Sequence, residues 1–382
     1  QAVAPVLRFH QSFPDYAPTP LVPLDELAKT FGVASIHMKD ESYRFGLNAF
    51  KSLGGSYCIG RYLAEQLGIS PDKMTYDLLT AEDTRKKLGV LTFATTTDGN
   101  HGRGIAWTAQ RLGHKSVVTM PKGSALERLE NIRALGADAE ITQLNYDDAV
   151  RDTYAKARKN GWIFVQDTAW EGYEKIPAWI MQGYTTMLQE AVAQYDTVNP
   201  VGQVKPTHVF LQAGVGAYAG AAAGFLRQYY GKDCPKIIVV EPDEADCLYR
   251  TAKAQDGTLH KVSGDMPTMM AGLACGEPCS IGWEILKRTA DFFVSIPDAV
   301  AARGMRVLGN PMGNDRRIIS GESGAATMGF VSEILAKDDY VPLRQMLGLD
   351  THAHILCIST EGDTDRKNYR AVVWDGKENS EG

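Results

Sequence analysis

The chain has 382 residues, 44% of them hydrophobic and 23% charged, with a formal net charge of −6. That is enough chain for two domains of ordinary size with the balance of a globular protein. The negative charge, broken only by short basic clusters such as Arg85, Lys86 and Lys87, excludes an electrostatic case for nucleic acid or an anionic membrane.

The predicted elements alternate. After a proline-rich, extended entry (YAPTPLVPL), short β-branched runs take turns with amphipathic stretches, the pattern of parallel sheets with crossover helices. Strands are predicted at 36–39, 91–95, 116–120, 140–143, 163–166, 208–212, 236–240, 292–295 and 354–359. Helices are predicted near 52–67, 102–112, 124–135, 146–160, 178–195, 217–230, 297–308 and 322–336, with the charged stretch 70–89 as a surface insertion. The fold class is α/β, with two open parallel-sheet domains. Residues 1–47 and 177–382 form the larger, and 48–176 the smaller. A ligand is expected in the cleft between them, beyond the carboxyl ends of the strands.

Lys51 follows Phe50 and opens a run of small residues, Ser52 to Ser56, where a ligand can come close to a helix start. An amine in that position can hold an aldehyde, although a lone lysine is more often a solvated one. The loop ATTTDGNHGRG (94–104) follows a strand and places Thr97, Asp98, Gly99, Asn100 and His101 within reach of a substrate carboxylate or a cofactor oxygen. A glycine-bearing turn with Asx caps would give the same residues. In VQDTAWEGY, Asp167 ends a strand, either as a site carboxylate or as a helix cap.

The strand THVFLQA runs into Gly214, Val215, Gly216, Ala217 and Tyr218 and then a helix, whose free amides and dipole suit a phosphate. The same letters satisfy a dinucleotide fingerprint, with Glu241 where an acid would bind a ribose, so a nicotinamide dehydrogenase is a rival reading. A last apolar strand ends in Ser359 and Thr360. The six cysteines show no zinc-ligand spacing, so no metal is expected, and a bridge between Cys247 and Cys275 stays open. No apolar run approaches the ~20 residues of a membrane helix and no signal-peptide pattern opens the chain, so a soluble cytoplasmic enzyme is expected.

In this order the motifs resemble those of the fold type II pyridoxal-phosphate enzymes, which include threonine and serine dehydratases and the tryptophan synthase β chain. The resemblance spans nearly the whole chain. It rests on Ala49-Phe50-Lys51, on Thr97-Asp98-Gly99-Asn100-His101, on Gly214 to Tyr218 and on Ser359. Where the dehydratases carry serine, this chain has Asp98, and KDESYRFGLNAFK, QDTAWEGY, PTMMAGLACGEP and ISTEGDTD together are similar to a diamine-specific ammonia-lyase branch.

The resemblance implies pyridoxal 5'-phosphate held by Lys51 as a Schiff base. It also implies α,β-elimination of 2,3-diaminopropionate, D or L, to pyruvate and two ammonia. Phe50, Asn100, the 214–218 loop and Ser359 or Thr360 would bind the cofactor, with the hydroxyl beside the pyridine nitrogen. Asp98 and Asp167 would hold the second ammonium and serve as bases for opposite enantiomers, with Thr97, Gly99 and His101 around the substrate. A homodimer is the family expectation. A serine or threonine dehydratase or a β-replacement enzyme is the nearer alternative, and the dehydrogenase the more distant one.

Overall fold

The structure is a computed structural model that describes residues 3–97, 99–198 and 204–379. Its strands, in chain order, are β1 (Leu21–Pro23), β2 (Ser35–Asp40), β3 (Thr92–Thr96), β4 (Lys115–Met120), β5 (Asp138–Ile141), β6 (Ile163–Phe164), β7 (His208–Gln212), β8 (Lys236–Pro242), β9 (Phe292–Ile296) and β10 (His354–Ser359). Two compact units form. The described residues up to Pro18 join those of Arg44–Thr186, and Thr19–Tyr43 joins the described residues from Met187 onward.

The first unit is built on a four-stranded parallel sheet in the order β5-β4-β3-β6. Its crossover helices are locally encoded. The Asn145 side chain accepts the Asp148 N–H at 2.8 Å to start the helix Tyr146–Asn160, and Gly161, at φ 68°, ends it. Ala106, Val118, Met120, Leu129 and Ile132 fill one side of the sheet, and Ala94, Val150, Ala157 and Phe164 form a second cluster. The helix Ala4–Gln11 belongs to this unit although the sequence placed it with the larger one. Its buried His10 donates from Nε2 to the Leu53 carbonyl at 3.1 Å, and its Nδ1 lies 2.6 Å from Thr186 Oγ1. Those bonds are long-range, which is why local pattern missed them.

The second unit carries a six-stranded sheet in the order β1-β2-β10-β7-β8-β9. β1 is antiparallel and all other pairings are parallel. β7 is buried along its whole length and β8 and β10 nearly so, as expected of parallel strands covered on both faces. β1 was not predicted; its Pro23 is tolerable because the strand lies on a sheet edge. Several short helices were also missed. In the helix Asp25–Phe31, for example, the first-turn amides of Glu26 and Leu27 donate to the Asp315 carboxylate at 3.0 and 2.9 Å. A helix of that length is marginal alone, and its cap is supplied by tertiary structure. The insertion at 70–89 holds two short helices, Tyr76–Thr80 and Glu82–Leu88.

Candidate active site

Lys51 stands immediately before the helix Ser52–Gln66, whose glycines would weaken an isolated helix by about 1 kcal/mol each. Close packing requires small residues at this helix. A Cβ on Gly104 would meet Ser52 Cα at 2.9 Å, and one on Gly183 would meet the Leu53 carbonyl oxygen at 2.3 Å. Two neighbouring helices, Asn100–Leu112 and Lys175–Val198, therefore touch the backbone next to Lys51. Arg103 Nη1 donates to the Leu47 carbonyl at 2.9 Å and fixes the approach loop. Gly183→Ala is expected to destabilise the fold by about 1–3 kcal/mol. Urea unfolding checks this, and an unchanged midpoint would refute the close contact.

The Lys51 ammonium donates to Asp167 Oδ2 at 2.9 Å. Burial alone would raise the pKa of the Asp167 carboxyl, but Lys51 and His101 outweigh it and hold it at about 2. His101 Nε2 is 2.9 Å from the Val165 carbonyl, which can only accept, so Nε2 carries a proton, and Nδ1 lies 3.9 Å from Asp167 Oδ2. Thr97 is buried and its hydroxyl accepts the Gly99 N–H at 2.9 Å; Asn100 starts the following helix and is also buried. Phe50 is buried with its ring centroid 4.8 Å from that of Tyr184. Asp98 lies outside the described residues. Thus Lys51, His101 and Asp167 converge in the first unit, on segments far apart in sequence.

In the second unit, β7 delivers the loop Gly214 to Tyr218 to the helix Ala217–Tyr230. Gly216, at φ 90°, is the N-cap, and no side chain caps the first-turn amides. The loop is pressed from behind: a Cβ on Gly214 would lie 3.2 Å from Leu273 Cα, and one on Gly216 3.0 Å from Leu248 Cδ1. One strand away, Ser359 Oγ is 2.7 Å from Ser320 Oγ and 3.2 Å from the Glu361 carbonyl. The Thr360 hydroxyl accepts from Gln212 Nε2 at 3.0 Å, and that amide also donates to the Ile358 carbonyl at 2.9 Å. Gln212 Oε1 is buried with no hydrogen-bond partner.

Known proteins bear on this arrangement. The pyridoxal-phosphate dependent enzyme family matches residues 13–343. Diaminopropionate ammonia-lyase of Escherichia coli K12 is 54% identical over 97% of this chain and 90% of its own length. The crystal structure of the holo enzyme from E. coli superposes with a TM-score of 0.92 at 52% identity, covering 99% of this chain and 93% of that one. A second E. coli structure, in complex with an aminoacrylate-PLP azomethine reaction intermediate, gives 0.90 at 51% identity over 99% and 93%. The chain belongs to the diaminopropionate ammonia-lyase family of pyridoxal-phosphate dependent enzymes.

The cofactor of this family is pyridoxal phosphate, and the residues present fit it. Within the first unit an amine suits its aldehyde; within the second, a glycine-bordered helix start and strand-end hydroxyls suit its phosphate and ring nitrogen, and the buried Gln212 Oε1 beside those hydroxyls has no hydrogen-bond partner. The dehydrogenase reading is overturned by the family match, and Glu241 shows why the fingerprint misled. Its carboxylate accepts the Leu248 and Tyr249 amides at 2.9 and 2.7 Å, capping the helix Cys247–Ala254 instead of presenting itself to a ribose. Cys247 carries a free thiol, pushed well up in pKa by burial, so no bridge to Cys275 forms. Sequence reasoning missed Gln166, Tyr173 and Arg103. Their only signal was membership of the same short motifs as Asp167 or His101, and their partners are tertiary.

Proposed function

We propose that the chain converts 2,3-diaminopropionate, D or L, to pyruvate and two ammonia by α,β-elimination. The observation that carries this is the Lys51–Asp167 contact of 2.9 Å. It sets an amine for the cofactor aldehyde beside a carboxylate, which suits a substrate with a second ammonium. When bound, pyridoxal phosphate supplies the electron sink for the pair left at Cα.

The chain's own groups do the rest. Lys51 binds the aldehyde and, once displaced by the substrate α-amine, is an amine able to carry a proton, while the β-ammonium leaves as neutral ammonia with the C–N bonding pair as the pair at Cα forms the Cα–Cβ double bond. Asp167 and Asp98 accept the α-proton from opposite faces, one for each enantiomer. Asp167 gains basicity when the positive charge of Lys51 is withdrawn from it. The amides of Gly214, Val215, Gly216, Ala217 and Tyr218 hold the phosphate, and the Ser359 and Thr360 hydroxyls supply a neutral partner for the pyridine nitrogen. Phe50 and Asn100 line the cofactor, and Thr97, Gly99 and His101 hold the substrate. The enamine product hydrolyses to pyruvate and the second ammonia.

A homodimer and a cytoplasmic setting complete the reading and rest on the resemblance to the family. Among the described residues no helix is long and apolar enough to cross a membrane. The deciding experiment measures pyruvate release from both enantiomers of 2,3-diaminopropionate, from serine, from threonine and from 2,4-diaminobutyrate. The highest kcat/KM is expected with 2,3-diaminopropionate; a clear preference for serine or threonine would make the protein a dehydratase instead.

A further inference from the structure

The segment that carries Asp167 is not held as an ordinary strand. β6 ends at Phe164, and the Val165 amide donates to the Ala94 carbonyl at 2.8 Å. The next amide, that of Gln166, donates to the Tyr173 hydroxyl at 2.9 Å, and that hydroxyl donates to the Phe164 carbonyl at 2.9 Å. One phenol thus ties the backbone on either side of Val165, immediately before Asp167. Tyr173 is held in turn by Trp170, stacked at 4.5 Å between centroids. The Gln166 side chain makes a different tie. Its Oε1 accepts the Thr96 amide at 3.0 Å and the Thr95 hydroxyl at 3.1 Å, while Nε2 donates to the Thr96 carbonyl at 3.0 Å and to the Tyr146 hydroxyl at 2.8 Å. It therefore joins the Asp167 segment to the strand end from which the Thr97–His101 loop departs.

We infer that Tyr173 and Gln166 are positioning residues: Tyr173 aims Asp167 alone, whereas Gln166 fixes the spacing between the Asp167 segment and the end of β3 that leads to Thr97. The inference rests on the enantiomer-specific roles proposed for Asp167 and Asp98. Fixing a reacting group within a fraction of an ångström is worth orders of magnitude in rate, and replacing the half-buried Tyr173 by phenylalanine keeps the ring and isolates the hydroxyl's share.

Tyr173→Phe, tested in the holoenzyme, is expected to lower kcat about tenfold or more toward the enantiomer that Asp167→Asn disables, with the other enantiomer within about twofold. Gln166→Leu is expected to lower kcat toward both. Amide hydrogen exchange of the cofactor-free Tyr173→Phe protein is expected to quicken across residues 164–168 and to stay unchanged in the helix Ser52–Gln66. Equal loss toward both enantiomers in Tyr173→Phe, or unchanged exchange at 164–168, would overturn the assignment. If Asp167→Asn itself shows no enantiomer preference, the two-base reading fails, and the exchange result still decides whether Tyr173 holds the segment.

Discussion

Lys51→Ala is expected to lower kcat by about 10³-fold or more, since the variant loses both the amine that binds the cofactor aldehyde and a proton carrier. Borohydride is expected to fix the cofactor to the unmodified protein at Lys51 and to leave the variant unlabelled. Activity retained within tenfold would remove Lys51 from the reaction.

The same change has a consequence for stability. Burial disfavours the Asp167 charge, and the ammonium of Lys51 with the His101 ring overcomes it, giving a folded pKa of about 2. An unfolded aspartate titrates near ~4. The folded pKa is the lower one, so the carboxylate stabilises the fold above ~pH 4, by about 2 kcal/mol, and that contribution fades as pH falls toward about 2. In the cofactor-free protein, Lys51→Ala is expected to remove most of this at pH 7 and much less below pH 3. Denaturation midpoints of the two proteins across that range provide the check, and a gap between them that is independent of pH would contradict the electrostatic account.

Asp167→Asn is expected to cost about 10²–10⁴-fold toward one enantiomer of 2,3-diaminopropionate while sparing the other, with Asp98→Asn showing the opposite preference. The amide keeps the shape and an acceptor oxygen for Lys51 Nζ but neither the charge nor the basicity. Rates with each pure enantiomer, measured for both variants, provide the test. Equal loss toward both enantiomers in each variant would show that the carboxylates hold the substrate ammonium without dividing the proton transfer between them.

Much of the fold was legible because it is encoded locally. The predicted cores of β4, β7, β8, β9 and β10 fall within a residue or so of the observed strands, since buried parallel strands are continuous apolar runs and their crossover helices bring their own caps, as Asn145 and Gly161 do. Leu21–Pro23 and Asp25–Phe31 were illegible for the opposite reason. The first is a strand only because β2 lies beside it, and the second is a helix capped by Asp315 from the far end of the chain. β6 was predicted to run to Gln166 but stops at Phe164, because the Gln166 amide is taken by the Tyr173 hydroxyl rather than by a neighbouring strand.

The site divides in the same way. Lys51 and the glycine loop at 214–218 announce themselves, because an amine at a crowded helix start and a strand running into an uncapped helix are local patterns with a chemical use. The sequence by itself thus determined the family and the cofactor. Only the tertiary structure decided that Lys51 meets Asp167 at 2.9 Å, that His101 Nε2 donates to the Val165 carbonyl, and that Glu241 is a helix cap. The first two are contacts between segments separated by many residues, and all three are fixed by packing and by the need of buried polar groups for a partner. Lys51, as a letter in a motif, is an amine; its ion pair with Asp167 exists only once Gly104 and Gly183 bring neighbouring helices against the backbone beside it.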